Sequence, residues 1–430
     1  MHSTRKTSIT SERIALGSDA IPLMTRSFAA GAIALAAAAI LFSFTEGGFK
    51  RFLFSYHTAF CFLLSISVGA LFVVVILNLT RAGWGIVIRR LAELIASVIL
   101  PMMVLFAPIY IVTVFFGGSE LGHTLYIWNN PEFINANLET MFEGKQVFLS
   151  SKWFGVRIIA YFLILGLMAR YFFFKSAKQD EVGGKAISIT MQKAAAPCMI
   201  LFAFTVVFAS FDLERSLAPR WFSTMFPVYF FAGATMGAFA TLIICCVLLQ
   251  RRGILTDDIT EDHYHDLSKL TFAFVFFWGY VGFSQFMLIW YANLPEETWW
   301  FRPRLDWSKW AAVSMLLLFG HLLIPFVGMM SRTVRRNKDI MLVWAIALLF
   351  FHWLDHYWLV MPQYGADVTG AVTSTSNQLT IDLYSLLLDG LLVIGLGGIY
   401  LGMIVWMGLD KNLIPVKDPR LVESLNFKNP

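Results

Sequence analysis

The chain has 430 residues, of which 58% are apolar and only 14% charged, and its mean hydropathy is +0.67. That composition excludes a water-soluble globular protein and describes a polytopic membrane protein. The net charge of +5 is a surplus of loop and tail Lys and Arg, and it is no argument for nucleic-acid binding.

A bilayer-crossing helix needs about 20 mostly apolar residues. Ten stretches supply them: 27–44, 52–79, 87–116, 153–174, 193–211, 221–250, 268–291, 308–330, 339–361 and 385–408. Strands of a membrane barrel would be half as long and would alternate in polarity, so the predicted fold is all-α with ten transmembrane helices. Residues 1–26 form a polar N-terminal segment. The run that follows is Ala-rich and preceded by Arg5, Lys6, Arg13 and Arg26, as in a signal peptide. It is long for a signal h-region and leads into another span, so it reads as an uncleaved first helix. With the N-terminus inside, 23 of the 33 Lys and Arg fall on the inner side. The positive-inside rule then places both termini, including the tail 409–430, in the cytoplasm.

An internal repeat is visible. Span 2 opens with Arg51-Phe52 and closes with Leu79-Thr80-Arg81-Ala82-Gly83, as span 6 opens with Arg220-Trp221 and closes with Leu249-Gln250-Arg251-Arg252-Gly253. Leu91-Ala92-Glu93-Leu94 corresponds to Leu267-Ser268-Lys269-Leu270, Trp153 and Gly166 to Trp307 and Gly320, and Lys193 and Asp212 to Arg336 and Asp355. Spans 2–5 (52–211) and 6–9 (221–361) therefore read as two parallel four-helix bundles, since each copy has an even number of spans, with spans 1 and 10 flanking them.

The long outer loop Gly117 to Lys152 carries Glu120, Glu132, Glu139 and Glu143 and is read as either a partner-contact surface or a solvated connection. The outer loop from Ala292 to Trp307 packs Pro295, Trp299, Trp300, Phe301 and Pro303, which an interfacial aromatic belt largely explains. Cys61, Cys198, Cys245 and Cys246 all lie in apolar helices without haem-attachment or iron–sulfur spacing, so they read as packing residues and no covalently bound cofactor is expected.

Span 9 carries His352, Asp355 and His356 near its middle, at i, i+3 and i+4 on one helix face. Ionisable groups at that depth are expensive and normally face a protein interior or a polar path. His321 on span 8 falls at mid-membrane, Asp389 lies one turn into span 10, and Asp382 just outside it. Together they form a ladder toward the outer face, suited to proton relay because His and Asp exchange protons near neutral pH once retuned by their surroundings. The competing reading is a structural network in which Asp355 pairs with His352 or His356. On the inner side, Glu93 on span 3 and the group His263, His265, Asp266 and Lys269 at the start of span 7 are candidates for a second half-path, with Glu93 and Asp266 as its candidate entries. Acidic residues at a helix start also simply complement the dipole. Tyr56 and His57 on span 2 and Arg157 and Tyr161 on span 4 are candidate quinone-lining residues. No Walker, H-E-x-x-H, G-x-S-x-G or dinucleotide motif is present, so nucleotide, protease and hydrolase readings have no support.

The segment from His265 through Phe301, above all Asp266-Leu267-Ser268-Lys269-Leu270 and Phe283-Ser284-Gln285-Phe286-Met287-Leu288-Ile289-Trp290-Tyr291-Ala292-Asn293-Leu294-Pro295-Glu296-Glu297-Thr298, resembles a large membrane subunit of bacterial alternative complex III. That subunit belongs to the NrfD-like, polysulfide-reductase family of paired four-helix bundles. The resemblance implies a quinol:cytochrome c oxidoreductase of the bacterial inner membrane. Its partners would be a second NrfD-like subunit, an iron–sulfur subunit and c-type cytochromes, which hold the clusters and haem c. The chain resembles the copy without the established quinol or menaquinol pocket, so the implied role is structural support and proton conduction without redox centres or a catalytic site of its own. A proton-coupled secondary transporter and a purely architectural subunit are the alternatives.

Overall fold

In hydrocarbon a backbone must satisfy its own hydrogen bonds, and the apolar runs accordingly form helices. The computed structural model describes residues 6, 8–44, 47–137, 145–365 and 383–429. Ten of its helices are long and apolar enough to cross a membrane: α1 (Ser18–Ser43), α2 (Gly48–Leu79), α3 (Gly83–Phe115), α4 (Ser151–Val182), α5 (Lys185–Leu217), α6 (Phe226–Arg251), α7 (Glu261–Ala292), α8 (Ala311–Gly328), α9 (Lys338–Gly365) and α10 (Ser385–Gly408). Glu139, Glu143 and Asp382 lie outside the described residues. Helix α1 starts well before residue 27, because Ile21, Leu23 and Met24 extend the apolar run and Pro22 suits a first turn that needs no N–H.

Helices α2–α5 pack around one another, as do α6–α9, and the two groups meet along α2 and α6. These are the two most enclosed helices of the chain. Their closeness depends on Gly69, where a Cβ would stand 2.1 Å from the Ala234 carbonyl oxygen. Helix α1 lies along α10 outside the bundles. Both termini lie on one face, where Leu413 N–H donates to the Ile14 carbonyl (2.7 Å) and Leu255 N–H to the Arg13 carbonyl (3.0 Å).

Two spans are interrupted. Helix α3 ends in a π turn, Ile111–Phe115, just after Pro108. In α8 a π turn covers Leu318–Leu323 and contains His321, four residues before Pro325. Proline has no N–H for the carbonyl four residues back, and the wider turn accommodates the loss. The loop after α7 is no mere interfacial belt. Trp300 is buried and stacks on Trp221 with ring centroids 4.0 Å apart. Arg304, also buried, donates to the Trp300 carbonyl at 2.8 Å, and burial holds its guanidinium well below the usual value.

Candidate functional site

The three ionisable residues of α9 are all inside the protein, with His352, Asp355 and His356 exposed by only 1%, 3% and 2%. Their spacing aims them at the seam between the bundles, but they do not pair with one another. His352 Nε2 lies 2.8 Å and His356 Nε2 3.1 Å from Ser65 Oγ on α2, so one hydroxyl bridges both imidazoles. His356 Nδ1 lies 2.5 Å from Glu214 Oε1 at the end of α5. Asp355 takes a different route, accepting from Tyr229 Oη on α6 and from Trp278 Nε1 on α7 at 3.0 Å. The pairing of Asp355 with a neighbouring histidine, which the competing structural reading required, is not formed. Side chains three and four apart share a face, yet here the aspartate meets α6 and α7 while the imidazoles meet α2.

Counting protons gives this arrangement chemical content. Ser65 donates its single hydroxyl proton to the Phe62 carbonyl at 2.7 Å, which leaves its lone pairs for two imidazole N–H donors. With its Nε2 protonated, His356 meets Glu214 either as imidazolium against carboxylate or as a neutral ring accepting from a carboxylic acid. In both cases one proton lies between Nδ1 and Oε1, and moving it changes the charge of both partners together. Small residues make room for the rings: a Cβ at Gly237 would stand 2.9 Å from His352 Cδ2.

The ladder drawn from sequence is broken into parts. His321 is fully buried and packs on the Trp278 ring at 4.1 Å between centroids, but neither of its nitrogens has a hydrogen-bond partner among the described residues. Its ring is 6.2 Å from that of His352, so no direct bond joins them. Asp389 pairs with Arg51 at 2.6 Å, and Arg51 also contacts Tyr357 Oη at 3.3 Å. Since a guanidinium keeps its protons, this ion pair ties α10 to α2 instead of extending the histidine chain.

The end of α5 is a hub that sequence reasoning missed. Three consecutive residues present acceptors: Asp212 to Arg157 (2.7 and 2.8 Å) and Tyr161 (2.7 Å), the Leu213 carbonyl to His57 Nε2 (2.7 Å) and Tyr126 Oη (3.1 Å), and Glu214 to His356. Burial pushes the Tyr126 phenol upward, so it remains a donor. Tyr56 donates to the Leu105 carbonyl at 2.6 Å. The four candidate quinone-lining residues thus spend their polar heads on protein acceptors. The cavity bordered by Tyr161 holds about 20 Å³, room for about one water and far too little for a quinone ring.

On the face carrying the termini, Glu93 is buried between Arg89 (3.1 Å) and Arg90 (3.2 Å), which reach on to Asp418 (2.9 Å) and Asp180 (3.1 Å). This clamp docks the C-terminal tail against α3 and neutralises the carboxylate. Asp266 pairs with Lys269 at 3.1 Å and accepts from Asn429. His263 caps α7, accepting at Nδ1 from Thr260 N–H at 3.0 Å, and His265 is buried beside it. Among the described residues no hydrogen bond joins Glu93 or Asp266 directly to His352.

Glu214 lies just past the last apolar turn of span 5 and reads there as an ordinary loop acid. The repeat offered the one signal, because it aligned Asp212 with Asp355. Each is the buried acceptor of its own bundle, held by Arg157 and Tyr161 in one and by Tyr229 and Trp278 in the other. No family model matches the chain, and no characterised protein matches its sequence.

Proposed function

We propose that this chain is a membrane subunit, without redox centres, of a quinol-oxidising respiratory complex of the alternative complex III type. In this reading it supports the complex and moves protons along His352, Ser65, His356 and Glu214, the Ser65 hydroxyl turning from the Phe62 carbonyl to whichever imidazole has given up its Nε2 proton. One observation carries the proton-conducting part: a 2.5 Å contact between two buried ionisable groups with a single proton between them, continued through Ser65 to a second imidazole. Removing charges from water is costly, and well-packed apolar residues would hold the helices at least as well. The assignment to the complex rests on the resemblance of residues 265–301 and on the paired four-helix bundles.

The reading places the chain in the bacterial inner membrane with both termini cytoplasmic, in line with the Lys and Arg bias. It assigns quinol or menaquinol oxidation, iron–sulfur clusters and haem c to a second NrfD-like subunit, an iron–sulfur subunit and c-type cytochromes. The transporter alternative gains nothing from the break in α8. Transporters built from repeats interrupt corresponding helices in both halves, and α4, the counterpart of α8, runs unbroken over Ser151–Val182. Purification of the tagged chain in mild detergent tests the assignment. Co-purification of a haem c absorption band and an iron–sulfur subunit is expected, and recovery of the chain alone would overturn it.

A further inference from the structure

Between the two bundles, on the face away from the termini, a cavity of about 470 Å³ opens among the segment at residues 145–149, the end of α5, the start of α6 and the end of α7. That size is within the range of small-molecule sites. One wall is cationic. Lys145 Nζ donates to the Pro219 carbonyl at 2.9 Å and stands 3.6 Å over the Phe222 ring, and the Arg215 guanidinium is 5.5 Å from the same ring. No carboxylate of the described residues pairs with either cation or acts on its titration. Glu297 also lines the cavity, so the described lining carries two cations against one carboxylate. Met225, Leu288 and Ile289 supply an apolar part of the lining. Leu288 is 66% exposed on the outer surface of the bundle, so the cavity opens sideways where acyl chains run.

We propose that this cavity binds an acidic phospholipid, with the phosphate held by Lys145 and Arg215 and an acyl chain lying along Leu288 and Ile289. Two cations stacked on a ring, with no carboxylate paired to either among the described residues, match a phosphodiester, and the ring strengthens the attraction. A neutral quinone would leave both charges uncompensated, and free phosphate would leave the apolar wall unused. Burial, and next the charge of Arg215, bring the Lys145 ammonium down to about 8. Among the described residues, the charges lining the cavity beside it are Arg215 from α5 and Glu297 from the loop after α7. Retention of the lipid therefore weakens as pH rises through 8 and the site loses one of its two cations.

The test is native mass spectrometry of the delipidated, detergent-purified protein with palmitoyl-oleoyl phosphatidylglycerol, the matching phosphatidylcholine, or inorganic phosphate. Wild type is expected to retain the acidic lipid at least about tenfold better than the zwitterionic one, at about 1.4 kcal/mol per decade. K145Q/R215Q is expected to lose that preference while R215K keeps it, and phosphate is expected to leave the lipid in place. Equal retention of both lipids by wild type, undiminished preference in K145Q/R215Q, or displacement by phosphate at equal concentration would each overturn the proposal. Should the double variant not fold, the wild-type lipid comparison and the weakening of the preference between pH 7 and pH 9 decide the matter.

Discussion

Replacing Glu214 by Gln removes the group that shares a proton with His356 and keeps its shape. The amide can donate to Nδ1, so the fold is expected to survive with a loss of about 1–3 kcal/mol for an imperfectly satisfied buried partner. What the amide cannot do is take up and release a proton. Across the 2.5 Å contact with His356 Nδ1 the Glu214 carboxyl is the partner that exchanges this proton. A positioned proton-transfer group contributes about 10²–10⁴-fold in rate, so its removal is expected to slow proton passage by about that factor. The assay is the purified complex in proteoliposomes, with acceptor reduction and proton movement followed together by two dyes. E214Q is expected to reduce the acceptor at close to the wild-type rate under uncoupled conditions while protons moved per electron collapse. An unchanged proton-to-electron ratio in E214Q would refute the relay and leave His356 and Glu214 as a structural pair.

Three further outcomes follow from the same contacts. S65A removes the oxygen that bridges both imidazoles, and it should lower proton movement as E214Q does; normal translocation in S65A would mean the two rings are not in series. D389N breaks the pair with Arg51 and should cost about 3 kcal/mol in detergent unfolding, the low end for a buried pair because Arg51 reaches solvent, with proton movement preserved; lost translocation at normal stability would put Asp389 on the path. G69A places a methyl 2.1 Å from a backbone oxygen on α6, and separation of α2 and α6 should destabilise the protein by at least about 1–3 kcal/mol, a loss that unchanged thermal unfolding would contradict.

The crossings were legible because hydrophobic length is a one-dimensional property: ten runs in the chain become ten helices, and the inward face of α9 follows from spacing alone. Partners were not legible, because each is supplied by another helix. Asp355 has two histidines on its own turn, but its donors come from Tyr229 and Trp278. Arg157 and Tyr161 sit one turn apart as a ligand pair would, yet both reach for Asp212. Glu214 escaped notice since hydropathy marks the end of a span and not whether the chain beyond it folds back inside. The Glu93 clamp shows the converse, for Arg89 and Arg90 lie beside it in sequence while Asp418 reaches it from the tail, hundreds of residues away.

Infrared difference spectroscopy of the complex during quinol turnover tests the central claim most directly, since a protonated carboxyl has a stretching band of its own. The account predicts a carboxyl band that shifts or vanishes on turnover, is absent in E214Q and persists in D355N. A band that survives in E214Q, or no carboxyl change in the wild type, would contradict it.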